Sequence, residues 1–157
     1  SASEGVLINI FGGKITTYRR LAESVLGKIE QALGERQPAW TATSTLPGGD
    51  FAATGFDRLL KDFAAANPFL DAAHARRLLR QYGTNAGKIT GKASSLEDLG
   101  QNFGADLYQT EVDYLITHEW AQTAEDILWR RTKLGLLTND TDNDRLRDYM
   151  KRKTAGS

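Results

Sequence analysis

Only one run in this chain has the look of a β-strand: Leu7 to Phe11, LINIF, and no later stretch returns to that patterning. A strand is held by the backbone groups of a neighbour, so a lone one cannot build a sheet. The remaining apolar residues must therefore be buried by helices. With 157 residues the chain is long enough to close a core of its own.

The spacing agrees. From Ile15 to Leu33, Tyr18, Leu21, Ala22, Val25, Ile29 and Leu33 recur every three or four residues between charged positions, and Gly34 ends the run. Residues 35–55 carry Pro38, Pro47, Gly48, Gly49 and Gly55 around Trp40, hold no helical period, and are expected to form a long ordered connection. Phe56, Leu59, Leu60 and Phe63 then give a short apolar face that stops at Asn67-Pro68. Asp71 can cap a helix presenting Ala75, Leu78, Leu79 and Tyr82 and ended by Gly83; Thr84 and Ser94 read as caps of further short helices. Val112, Leu115, Ile116 and Trp120 make one more face, and Ile127, Leu128 and Leu134, after a Thr123 cap, make another. A last helix, capped within NDTDND, runs from Asp144 to Lys153, acidic first and basic last as the helix dipole favours. The expected fold is all-α: a small multi-helix domain over residues 15–157, preceded in 1–14 by one orphan strand or extended segment and a turn.

Charge and composition exclude several functions. Lys plus Arg equals Asp plus Glu at 20 each, so no global field attracts nucleic acid. There is no cysteine for a disulfide or thiolate, and no apolar run approaches the roughly 20 residues that span a bilayer. His118-Glu119 begins a zinc-protease pattern, but its second histidine falls at Gln122. Asp140, Asp142 and Asp144 alternate like a calcium loop, but Arg145 stands where the loop needs glycine. No metal site is expected. Gly13-Lys14 and Gly91-Lys92 lack the following Ser or Thr of a phosphate loop. Two basic groups remain, Arg76, Arg77 and Arg80 on one helix and Arg130, Arg131 and Lys133 on another; such groups ordinarily form solvated faces, and Glu111, Asp113, Glu125 and Asp126 can pair with the second. With two histidines and no cysteine, a self-contained acid–base site is hard to assemble.

Four segments in order carry a resemblance. FGGKITTYRRLAE (11–23), LPGGDF (46–51), RLLRQYGTNAGKI (77–89) and GADLYQTEVDYLITHEWAQTAEDILWRRTKLGL (104–136) resemble landmarks of the FAD-dependent, respiratory glycerol-3-phosphate dehydrogenases, from the end of the FAD-binding domain through the helical C-terminal domain. The resemblance implies that this chain is the C-terminal part of such an enzyme and that Leu7–Phe11 is the last strand of an absent sheet. It implies a parent that oxidises sn-glycerol 3-phosphate to dihydroxyacetone phosphate and passes electrons through FAD to quinone, with the isolated chain inactive and without FAD. Its partners would be its own N-terminal FAD and substrate domain, with a homodimer allowed and no nucleic acid. The parent would be cytoplasmic, peripheral on the inner face of the membrane.

The same resemblance marks Gly12, Gly13, Lys14, Ile15, Thr16 and Thr17 as cofactor-binding. Gly12 and Gly13 would let backbone approach the flavin ring, and the amides of Ile15, Thr16 and Thr17 would meet negative charge at its N1–C2=O edge. Lys14 is the candidate catalytic residue, holding either the flavin or the substrate phosphate. For Thr16 and Thr17 a plain N-cap is the alternative, and for Arg19 a surface ion pair. Trp120, Trp129, Tyr108 and Tyr114 are expected in the core, and Arg130 and Arg131 could fix this domain against the flavin domain or a second subunit. The competing reading is a free-standing helical module that binds protein or nucleic acid through its arginine faces.

Overall fold

The structure, a computed structural model, describes residues 5–34 and 37–154. Residues 1–4 of the opening segment, Glu35 and Arg36 of the expected connection, and residues 155–157 lie outside the described residues. The chain divides into two compact units, Ser1–Thr45 and Leu46–Ser157.

In the first unit, α1 (Tyr18–Leu33) begins three residues later than its apolar spacing predicts. The Thr17 amide and hydroxyl both turn back to the Lys14 carbonyl, at 2.9 and 3.2 Å, closing a turn before the helix can start. It ends as expected at Gly34, in the left-handed conformation at φ 81°. Leu7–Phe11 takes up neither strand nor helix; among the described residues the single ladder pairing is the isolated bridge between Asn102 and Tyr108. Without neighbouring strands its backbone has nothing to pair with. No residue of α1 is buried. Its contact with the following segment is polar: Arg19 donates to Glu23 at 2.6 Å and to Thr41 at 3.2 Å, and the Thr41 hydroxyl donates to Glu23. The Thr41 hydroxyl first, and the Arg19 charge after it, hold the Glu23 carboxyl below its usual range.

The second unit holds α2 (Phe56–Ala66), α3 (Ala72–Tyr82), α4 (Ala86–Thr90), α5 (Gln109–Glu119) and α6 (Asp140–Thr154). Between them lie 3₁₀ turns at Gly83–Asn85, Glu97–Leu99 and Leu134–Leu136 and a π-helical segment at Asp126–Arg131. Leu78, Leu99, Phe103, Leu107, Leu115, Ile127, Leu128, Leu146 and Met150 are buried in one cluster. Each such side chain contributes about 1.5–3 kcal/mol by leaving water.

Local chemistry sets the boundaries. Asp71 caps α3 by accepting from the His74 amide at 2.8 Å. Thr123 accepts from the Asp126 amide, and the Asp126 carboxylate answers by accepting from the Thr123 amide at 2.9 Å. At Ser94 the expected cap works in reverse: Asp98 accepts from the amides of Ser94 and Ser95, and only a 3₁₀ turn follows. Thr84 caps nothing; its hydroxyl donates to Asp50. α6 starts at Asp140 rather than Asp144 because Asn139 accepts from the Asp142 amide at 2.9 Å.

Two aromatic expectations need correction, while Tyr114 is buried and Tyr108 packs against the core as expected. Trp120 is 83% exposed: α5 ends at Glu119 and the chain turns left-handed at Trp120 (φ 54°), which throws its side chain off the stripe of Val112 and Leu115. Trp129 is 43% exposed, so its expected role as a buried anchor falls. The π-helical winding sends Ile127 and Leu128 inward and leaves the indole lying across Gly135. His118 is exposed and stacks on Tyr114 with ring centres 4.5 Å apart.

Candidate functional site

The turn from Gly12 to Thr17 is exposed along its length. Gly12 adopts φ 69° and has nothing within 4 Å of where a side chain would start, so a planar group can approach the backbone there. Lys14 has no ion-pair or hydrogen-bond partner for its ammonium among the described residues. The amides of Ile15 and Thr16 are likewise unspent, whereas the Thr17 amide, expected to be free, is taken by the Lys14 carbonyl. Thr17 sits at the N-cap position but its side chain makes no cap bond. One cation and two free amides therefore stand at the positive end of a 16-residue helix, an arrangement suited to negative charge. Arg19 is the surface ion pair with Glu23.

The second unit resolves the arginines into different roles. Arg77, rather than the Arg130 group, takes Glu111: two parallel bonds of 2.8 and 2.7 Å join guanidinium to carboxylate, and the Tyr82 hydroxyl donates to the same carboxylate at 2.7 Å. Glu111 is 1% exposed, so this is a buried structural network. Burial works against the Arg77 charge, but Glu111 holds its pKa above the ordinary value; burial and then Glu111 push Tyr82 far up. Arg130 pairs with Asp126 at 2.9 Å as expected, while Arg131 forks onto the Glu119 carbonyl at 3.1 and 2.7 Å. Asp113, expected near that group, instead accepts from Tyr149 at 2.6 Å and pairs with Lys153.

The spacing of charges and apolar residues did not reveal a groove of about 560 Å³ between the LPGGDF loop and α3. Leu46, Phe51, Phe56 and Leu79 line it with Arg76 and Arg80. Its walls are joined backbone to backbone: the Thr84 amide donates to the Gly48 carbonyl at 3.0 Å, and a Cβ on Gly83 would overlap that carbonyl. The signal in the sequence was the pair of glycines, Gly48 and Gly83, both at positive φ. Among the described residues no group of three or more His, Asp or Glu could hold a metal, and no helix is long and apolar enough to cross a membrane.

Known proteins resemble this chain along most of its length. The glycerol-3-phosphate dehydrogenase of Pseudomonas aeruginosa is 44% identical over 147 residues, covering 94% of this chain. The aerobic glycerol-3-phosphate dehydrogenase of Escherichia coli is 43% identical over 148 residues, covering 92% of this chain. This chain spans 28% of the length of each. The solved structure of the glycerol-3-phosphate dehydrogenase from Bacillus halodurans, complexed with FAD, matches with a TM-score of 0.71 and 27% identity over 93% of this chain and 31% of that one. The family model for the C-terminal domain of alpha-glycerophosphate oxidase matches residues 39–152, which take in the LPGGDF groove and the whole helical core. The chain belongs to that family, the C-terminal domain of alpha-glycerophosphate oxidase.

Proposed function

We propose that this chain is the C-terminal domain of a flavoenzyme that oxidises sn-glycerol 3-phosphate to dihydroxyacetone phosphate and hands the electrons to quinone at a membrane surface. The observation that carries the reading is collinear identity of 43–44% across more than nine-tenths of the chain with two glycerol-3-phosphate dehydrogenases, of which it spans only 28%. FAD, when bound in the parent, supplies the two-electron acceptor. This chain's residues fit one edge of such a cofactor: Gly12 offers an open backbone face, and the Ile15 and Thr16 amides are unspent donors. Lys14 adds a mobile positive charge, holding either the flavin edge or the substrate phosphate. Thr17 is assigned a supporting part, since its hydroxyl and amide fix the Lys14 carbonyl and so the turn that aims these groups.

The test is Lys14→Ala in the intact parent, with Lys92→Ala as the control. The first should lower turnover or flavin retention and the second should change neither. Equal effects of the two substitutions would overturn the role given to Lys14.

A further inference from the structure

Almost every arginine of the second unit is occupied within it. Arg58, Arg77, Arg130, Arg145 and Arg147 face carboxylates, Arg131 takes a carbonyl, and Arg152 lies over Tyr149. Arg76 has only the face of Phe56, 5.5 Å away. Arg80 has no ionic, hydrogen-bond or ring partner among the described residues. These two stand four residues apart on one exposed face of α3 and line the same groove, whose other side is the apolar surface of Leu46, Phe51 and Phe56. No carboxylate lines it.

From this juxtaposition we infer that the groove between the LPGGDF loop and α3 is a docking site for a carboxylate-bearing, apolar segment of the flavin-binding portion of the same protein. The inference rests on the function proposed above. Two features select the occupant. Two guanidiniums without a counter-charge call for an anion, and their planar forks match carboxylate geometry. The apolar wall beside them calls for a side chain that can be buried, so a free inorganic anion would leave half the groove unfilled. Nearly three-quarters of each relative lies outside the part matched here, and in one polypeptide that portion is held at high effective concentration, so a modest groove suffices. The groove is also preorganised. Gly48 and Gly83 are locked together by backbone contact, so docking does not have to order its walls.

The experiment mixes this chain with the flavin-bearing polypeptide encoded upstream of it, produced separately, and measures the dissociation constant for wild type, Arg80→Glu, Arg76→Glu and Lys92→Glu. Arg80→Glu and Arg76→Glu should each weaken binding by roughly tenfold or more, while Lys92→Glu leaves it within about twofold. The unfolding midpoint of this chain alone should be the same for Arg80→Glu as for wild type, since Arg80 holds nothing here. Equal binding by Arg80→Glu and Lys92→Glu would overturn the groove assignment and leave the proposed function standing. A lowered midpoint for Arg80→Glu alone would also overturn it. Self-association of the wild-type chain that Arg80→Glu abolishes would put a second copy in the groove and overturn it as well. An upstream sequence with no flavin-binding portion would remove the proposed function and this inference with it.

Discussion

Gly83 follows α3 at φ 55° with its backbone pressed against the carbonyl of Gly48, so closely that a methyl group on either glycine would overlap the other segment. This contact fastens the LPGGDF loop to the end of α3 and forms one wall of the groove that Arg76 and Arg80 face. Gly83→Ala should destabilise the second unit by about 2–5 kcal/mol, combining left-handed strain with overpacking against the Gly48 carbonyl. Denaturant unfolding measures it. Gly87→Ala, inside α4 with nothing within 4 Å of its Cβ position, should be neutral or stabilising.

Removing one partner of the Arg77–Glu111 pair leaves the other without its counter-charge. Arg77→Ala should cost about 3–5 kcal/mol, since the buried Glu111 would keep only the Tyr82 hydroxyl. The double variant Arg77→Met/Glu111→Leu should recover much of that loss. Chemical denaturation of the two variants side by side separates the pair from its desolvation penalty.

Trp129→Ala should cost about 1 kcal/mol, well under the roughly 3–5 kcal/mol of a buried tryptophan, because the indole is exposed over Gly135. A loss as large as that of a core residue would mean that the ring is covered in solution.

His74 is buried and stacked on Tyr108, and burial first, with the Arg77 charge after it, holds its pKa below the ordinary histidine value; Asp106, Glu111 and Asp71 work in the opposite direction. The folded state therefore binds this proton less readily than the unfolded chain. Stability from His74 is complete above the unfolded value near 6.5 and falls as pH drops through it toward the depressed folded value. His74→Gln should flatten the pH dependence of the unfolding free energy between about pH 7 and 5 relative to wild type.

The helical class, the end of α1 at Gly34, the Asp71 and Thr123 caps and most of the core could be read from spacing, because each depends on residues within a turn or two of one another. What spacing missed depends on distant pairs or on departures from the 3.6-residue period. The left-handed turn at Trp120 and the π-helical winding at Asp126–Arg131 shift two tryptophans off the faces that regular helices would give them. Arg77 meets Glu111 across 34 residues, and Gly48 meets Gly83 across two helices and their loops, contacts that no local pattern encodes. The Gly12–Thr17 turn was legible because its glycines, lysine and helix start adjoin in the chain.

The central claim, that this chain completes a flavin-dependent glycerol-3-phosphate dehydrogenase, is tested most directly by assaying the intact polypeptide, upstream portion included, for glycerol 3-phosphate-dependent reduction of an artificial electron acceptor. The expected result is a yellow protein that reduces the acceptor only when glycerol 3-phosphate is present and loses that activity when residues 15–157 are deleted. A colourless protein, or a yellow one whose acceptor reduction is indifferent to glycerol 3-phosphate, would contradict it.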